Sequence, residues 1–363
     1  MYLNVYSGKK VLVTGHTGFK GAWLSQWLLK LGAQVIGYSK DVPTNPSLFE
    51  ILHLEERIKH NIGDVRDLEN FKRIVIREKP DFIFHLAAQA IVSNSYNDPT
   101  GTISTNVLGT MNVLETICEL EHHCVVVMIT SDKCYENVEW LWGYKETDQL
   151  GGKDIYSGSK GAAELVIHSY IESFLKAKSN ISIGIGRAGN VIGGGDWAKD
   201  RIVVDAVKAW SGNSSVEIRC PSATRPWQHV LEPLSGYLCL GAALSQGAEV
   251  NYEAFNFGPS TPETHRVIDL LQSMFDLWSS ESKSGFTPYI ITDELPFHEA
   301  GLLKLNCDKA RFYLKWSSVL NYKETVDYLV SWYKAYFEGE LNMIQLTDNQ
   351  IEIYQEKLMA SLS

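Results

Sequence analysis

The chain has 363 residues, 45% of them hydrophobic and 21% charged, with a formal net charge of -10. That length suits one large globular domain, or one domain with a lobe, and an acidic chain without a Lys/Arg block is a poor nucleic-acid binder. The apolar runs are strand-length, which excludes a membrane span, and the scattered cysteines form no CxxC, which argues for reduced thiols in the cytoplasm over a zinc or redox site.

The first segment, MYLNVYSGKK, passes directly into a strand and carries no secretory leader pattern. KVLVTG (10–15) reads as a strand, FKGAWLSQWLLKLG (19–32) as a helix stopped at Gly32, and QVIGYS (34–39) as a second strand. LENFKRIVIREKP (68–80) follows as a helix, DFIFHLAA (81–88) as a strand and TGTISTNVLGTMNVLETICEL (100–120) as a helix. CVVVMITS (124–131) is the next strand, residues 156–176 a helix, and ISIGIGRAGNVIG (181–193) a strand running into a Gly-rich loop. Strands alternating with helices predict a Rossmann-type, doubly wound α/β sheet, mostly parallel, over 1–192. From 193 to 363 the pattern is less regular and reads mainly as a smaller substrate-binding lobe, with elements near 226–258 returning to the sheet. LNYKETVDYLVSWYKAYFEGE (320–340) reads as an amphipathic closing helix, and the residues after it as a docked tail.

Ligands of such sheets bind beyond the carboxyl ends of the strands. There, TGHTGFKG sets Gly15, Gly18 and Gly21 between the first strand and the first helix. Glycines at that joint let a pyrophosphate reach the free N–H groups of the helix start, so the pattern predicts a dinucleotide site. The acid expected after the second strand to hold an adenosine ribose is displaced. Ser39 and Lys40 come first, then Asp41, and the choice between NAD and NADP stays open at this point. Asp64, in GDVRD, is a candidate contact to the adenine amino group.

Tyr156 and Lys160 are four residues apart and share one face of a helix. A neighbouring ammonium favours the phenolate, and Ser131, at a strand end, is placed to hydrogen-bond the alcohol that Tyr156 deprotonates. The combination predicts removal of a proton from an alcohol as hydride leaves to a nicotinamide. RAGNVIGGGDWAKDR (187–201) offers Asn190, a glycine run and Arg201, and RPWQHV (225–230) offers Arg225; both suit a diphosphate. Trp197 and Trp227 are candidates for a base pocket or for the core, and His16, His85 and His229 show no metal-ligand spacing.

TGHTGFKG, HLAAQ, TNVLGT, Ser131 and YSGSK together resemble the extended short-chain dehydrogenase/reductase family over nearly the whole chain. The resemblance implies bound NAD contacted by Gly15, His16, Thr17, Gly18, Phe19, Lys20, Gly21, Ser39, Asp64, Val65, Leu86, Ala87, Ala88, Gln89, Asn106, Tyr156 and Lys160. It implies a nucleotide-sugar substrate held by Gln89, Ser131, Asn190, Arg201 and Arg225. SDKCY stands where nucleotide-sugar 4,6-dehydratases similar to the dTDP-glucose enzyme carry an Asp-Glu pair. By this resemblance Ser131, Tyr156 and Lys160 serve oxidation at C4, while Asp132 is the acid and Lys133 the base of an elimination across C5 and C6. Lys133 acts as a base only as the neutral amine, a form that desolvation and nearby cations favour.

The dehydration returns its hydride to C6, and the resemblance places it in dideoxysugar and lipopolysaccharide O-antigen biosynthesis. It also implies a homodimer or a dimer of dimers, paired through the helices near 100–120 and 156–176. A 4-epimerase of the same fold needs no acid-base pair at C5 and C6, so Asp132 and Lys133 discriminate. The remaining alternatives are a dehydratase for another nucleotide and a dinucleotide-sensing protein without turnover. The intact Ser131, Tyr156 and Lys160 weigh against the sensor.

Overall fold

The apolar runs of the first half assemble side by side. The computed structural model describes residues 2–247, 249–259, 265–279, 287–292, 302–339 and 342–362. The strands are β1 (Lys10–Thr14), β2 (Gln34–Ser39), β3 (Lys59–Ile62), β4 (Phe82–His85), β5 (Cys124–Ile129) and β6 (Ile181–Ala188), joined by an edge strand at Ala254–Phe257. Their order across the sheet is edge strand, β6, β5, β4, β1, β2, β3, and every neighbouring pair is parallel.

Parallel strands covered on both faces carry apolar residues at successive positions, and alternation then sorts them between two cores. Val11, Val13, Phe82, Phe84, Val125 and Val127 face one core, with Trp23, Trp27 and Tyr237. Leu12, Ile83, Val126 and Met128 face the other, with Phe71, Val113 and Ile167. The first core also takes in Trp210, Leu270, Trp332 and Tyr354, so the irregular second half packs onto the sheet.

Two glycines in ISIGIGRA set how closely that half approaches. A Cβ on Gly184 would lie 3.1 Å from Leu240, and one on Gly186 would lie 2.9 Å from Tyr237. Both partners sit on the helix Leu231–Ser245. The same helix carries buried Glu232, whose carboxylate accepts from the N–H of Val319 (3.0 Å), the N–H of Leu320 (2.7 Å) and the Tyr354 hydroxyl (2.7 Å). Tyr354 belongs to a helix, Met343–Leu362, that seals Ile351, Tyr354 and Leu358 from solvent.

Two elements differ in detail from the sequence pattern. The strand expected over 181–193 stops at Ala188 and resumes as Val191–Ile192, paired with Gln228–His229. At the break, a Cβ on Gly189 would come within 3.1 Å of Asp132 Oδ2, so the chain turns there to admit that carboxyl. The helix expected over 100–120 widens into a π segment at Ser104–Leu108, a distortion that often marks a functional position.

Candidate active site

β1 and β4 are neighbours, yet the chain leaves them in opposite directions across the sheet, so a crevice opens beyond their carboxyl ends. Gly15 turns out of β1 with φ +74°, a conformation that favours glycine. A Cβ on Gly15 would lie 2.9 Å from Ala87 N, and one on Gly21 would lie 2.1 Å from the Gly15 carbonyl oxygen. These contacts draw α1 (Phe19–Lys30) hard against the strand end. Its N-cap is Gly18, which brings no side chain to the cap. The N–H groups of Phe19, Lys20 and Gly21 have no carbonyl one turn back within the helix. This side-chain-free cradle at a helix start fits a dinucleotide pyrophosphate.

Around the cradle, several expected contact residues bond to the protein itself. His16 is buried; its Nε2 pairs with His60 Nδ1 at 2.7 Å and its Nδ1 with the Ser39 hydroxyl at 3.0 Å. Burial, then the His60 ring, pushes His16 down to about 3, so it is neutral. Thr17 bonds through its hydroxyl to the Asp41 carbonyl at 2.6 Å. Asp64 holds Arg66 through both carboxylate oxygens, and that hydrogen bonding keeps the acid below its usual range. Val65 is buried against the helix Gly109–Cys118 that follows the π segment, 2.8 Å from where a Cβ on Gly109 would stand.

Leu86, Ala87, Ala88 and Gln89 leave β4 half-buried along the crevice. The N–H of Leu86 and of Ala87 each donate to the Thr14 hydroxyl at 3.1 Å. Gln89 gives its N–H to Asn106 Oδ1 (2.8 Å) and its side-chain amide to Thr102 (2.9 Å). Asn106 returns bonds to the Gln89 carbonyl (3.1 Å) and to Ser159 (2.9 Å). Its amide thus ties the β4 exit to the helix that carries Tyr156.

That helix, Ile155–Ser173, starts at Asp154, whose carboxylate accepts from the Ser157 N–H at 2.9 Å. The cap fixes Tyr156 in the first turn, and Lys160 follows one turn later with Nζ 6.0 Å from the Tyr156 ring centre. Opposite, Ser131 caps a short 3-10 turn over Asp132–Cys134 by accepting from the Lys133 N–H at 3.2 Å. Its hydroxyl donates to Asp132 Oδ1 at 2.9 Å. The structure therefore brings Ser131, Asp132, Tyr156 and Lys160 together, with Lys133 beside them, half-buried.

The electrostatics refine the expected chemistry. Tyr156 is pushed up to about 12, first by burial and then by Asp132, while Arg201 and hydrogen bonding with Ser131 work the other way. The expectation from spacing is a phenolate favoured by Lys160; within the protein alone burial dominates, and the lowering comes from Arg201 and Ser131. Burial also raises Asp132, against the pull of Lys133, Ser131 and Lys20, the direction that favours a carboxyl able to give up a proton as an acid. When Asp132 is protonated, its adverse charge on Tyr156 is gone, so the proton for one step assists the other. Lys160 is pushed down to about 8 by burial, with Cys134 and Glu164 opposing. Lys20 points its charge into the same group: burial pushes it down to about 8, Asp132 and Asp196 support it, and Arg201 and Lys160 oppose it.

Of the residues expected at a substrate, Arg201 caps the helix Ile202–Ser211, with Nε 3.9 Å from Asp196. It acts on both Tyr156 and Lys20, so it belongs to the cluster. Asn190 is half-buried at the bend between β6 and Val191. Arg225 lies on another element, Thr224–Arg225, paired with His265–Arg266, and its Nη1 donates to the Thr224 carbonyl at 2.9 Å. Trp197 is a core residue against Tyr333 and Tyr336, and Trp227 donates to the His265 carbonyl at 3.2 Å. Among the described residues no cluster of three or more His, Cys, Asp or Glu is placed to hold a metal ion, and no helix is long and apolar enough to cross a membrane.

Sequence reasoning passed over Asp196, Glu164 and Arg187. Glu164 is one further turn along the Tyr156–Lys160 face, a spacing that was available; Arg187 ends an apolar strand, where a lone charge is itself a signal.

Residues 12–327 match the family described as GDP-mannose 4,6 dehydratase. The CDP-glucose 4,6-dehydratase of Salmonella typhimurium is 45% identical over 356 residues, covering 97% of each chain. An epimerase of Methanothermobacter thermautotrophicus shares the fold with a TM-score of 0.77 at 23% identity, over 95% of this chain and 96% of that one. A dTDP-glucose 4,6-dehydratase of Bacillus anthracis, solved with NAD, superposes with a TM-score of 0.73 at 17% identity, over 91% and 98% of the two chains.

Proposed function

Since the chain belongs to the GDP-mannose 4,6-dehydratase family, we propose that it dehydrates CDP-glucose to CDP-4-keto-6-deoxyglucose with bound NAD. The observation that carries this is the burial-raised carboxyl of Asp132 beside Lys133, on the turn that faces Tyr156. The likeness to the Salmonella enzyme supports CDP-glucose as the substrate.

NAD, when bound, supplies an acceptor for the C4 hydride and its donor back to C6. The N–H groups at the start of α1 hold the dinucleotide pyrophosphate, and the Leu86–Gln89 segment lines the crevice. Tyr156 takes the proton of the C4 hydroxyl, which Ser131 orients. Arg201 supplies positive charge that draws the phenolate out of its buried setting, and the Lys160 ammonium stands 6.0 Å from the ring centre. The C4 ketone acidifies C5, and Lys133 takes that proton. Asp132 gives its proton to the departing C6 hydroxyl, which leaves as water. Lys133 then returns a proton to C5 as C6 is reduced, and the proton on Tyr156 restores Asp132. Atoms balance: one water is lost, and the nucleotide sugar keeps the C4 ketone.

Asn190, Arg201 and Arg225 hold the substrate diphosphate in this reading, and residues 193–363 form most of its lobe. The product feeds dideoxysugars of the O-antigen type, made in the cytoplasm. Exposed Ile103, Leu108 and Leu165 on the two helices flanking the site support self-association, as a dimer or a dimer of dimers.

The test is product mass after incubation with CDP-glucose in deuterated water. Loss of one water with one deuterium at C5 is expected; conserved mass would show an epimerase and overturn the reading. Lys133→Met is expected to cut C5 exchange by about 100-fold or more, while C4 oxidation persists. Normal elimination in that variant would remove Lys133 from the role of base.

A further inference from the structure

Two charged side chains that the reaction does not use are the most enclosed in the site. Glu164 and Arg187 are 2% and 5% exposed at their side chains. The guanidinium grips both carboxylate oxygens along one edge, Nε to Oε1 at 2.9 Å and Nη2 to Oε2 at 2.8 Å. Taking two ions out of water is expensive, and such a pair often contributes little net stability. What it does contribute here is a fixed direction for every other bond it makes.

Those bonds reach both ends of the catalytic turn. The Thr130 hydroxyl, immediately before Ser131, donates to Glu164 Oε1. Arg187 Nη1 donates to the Tyr135 hydroxyl at 2.8 Å, just after Cys134, and its guanidinium lies 5.1 Å from that ring centre. The Tyr135 hydroxyl in turn donates to Asn256 Oδ1 at 2.8 Å, on the edge strand. The Arg187 Nη1 also reaches the Glu146 carbonyl at 3.0 Å. Glu164 itself stands one helical turn beyond Lys160, on the helix that carries Tyr156.

We infer that the buried Glu164–Arg187 pair, acting through Thr130 and Tyr135, is the positioning device that holds Ser131, Asp132 and Lys133 in register with Tyr156 and Lys160. The oxidation group and the elimination group come from different elements, a helix and a turn. The pair is bonded to both, so one rigid centre sets their separation. Thr130, Tyr135, Glu164 and Arg187 are positioning residues and touch no substrate. The kinetic part of this inference rests on the dehydratase reading; the structural part does not.

The test uses Tyr135→Phe and Thr130→Val in the full chain, each removing one hydroxyl and keeping the ion pair. Amide hydrogen exchange needs no substrate. It is expected to quicken about 10-fold or more across residues 131–135 and to stay unchanged in β1 and β2. Exchange at wild-type rate in the turn of both variants overturns the inference, whatever the substrate proves to be. With CDP-glucose, kcat for elimination is expected to fall about 10–100-fold with KM changed less than about 2-fold, and C4 oxidation is expected to suffer less than C5 exchange. An equal loss of the two partial reactions, together with a lowered melting temperature, would mark a merely structural role and also overturn it. Wild-type protein that leaves CDP-glucose unchanged sinks the dehydratase reading alone, because the exchange result stands independently.

Discussion

Replacing Tyr156 by Phe is expected to lower kcat for CDP-glucose dehydration by about 1,000- to 10,000-fold, with KM nearly unchanged. In the proposed mechanism the phenol takes the C4 proton, and a benzyl ring fills the same space without an acid. Tyr156 is buried, 8% exposed, in the first turn of a helix fixed by the Asp154 cap. The ring therefore keeps its position in the variant, and binding contacts elsewhere persist. Because burial pushes the hydroxyl up to about 12, the phenolate is scarce at neutral pH unless positive charge draws it out. Catalysis by Tyr156 thus depends on its neighbours, and loss of the hydroxyl cannot be rescued by raising pH. Steady-state rates with the variant check this; more than about a tenth of wild-type kcat would remove Tyr156 from the role of base.

Lys160→Met is expected to act in opposite directions on stability and activity. Burial pushes Lys160 from 10.5 down to about 8, so its folded charged form is disfavoured by about 3 kcal/mol. Below pH 8 the amine is charged in both the folded and unfolded chain, and the folded state bears that cost in full. Between pH 8 and 10.5 the unfolded chain binds more protons, so the stability of the wild type rises and the cost disappears. Met fills similar space without the charge. The variant is therefore expected to melt about 4 °C higher than wild type at pH 7 without added dinucleotide. The gap should close as pH passes from 8 to 10.5. Its kcat is expected to fall about 100-fold or more, because the cation facing Tyr156 is gone. Thermal melts across pH, paired with rates, check both halves. A variant less stable at pH 7 would show that Lys160 is held by more favourable contacts than its burial implies.

Much of the site was legible because it is local. A strand, three glycines and a helix follow one another within TGHTGFKG, and the helical repeat alone puts Tyr156 and Lys160 on one face. Ser131, Asp132 and Lys133 were legible as a strand-end turn, and Ser131 does cap it. Less legible was what each side chain does once buried. Asn106 and His16 occupy the motif positions expected at a cofactor, yet their polar atoms bond to Gln89, Ser159, Ser39 and His60. A motif constrains residue identity without saying whether the atoms face a ligand or the scaffold.

The sequence by itself determined the strand-helix alternation and the glycine cradle, and it singled out Ser131, Asp132, Lys133, Tyr156 and Lys160 as candidates for the chemistry. Each follows from spacing along the chain, where backbone geometry fixes distance. Only the tertiary structure decided that Glu164 meets Thr130 and Arg187, residues 34 and 23 positions away. It also decided that Lys20 shares a field with Asp132, and that burial, with Asp132, outweighs Arg201 at Tyr156. The reason is physical: desolvation and charge coupling depend on through-space distance and on what excludes water, and neither exists until the sheet brings distant segments together.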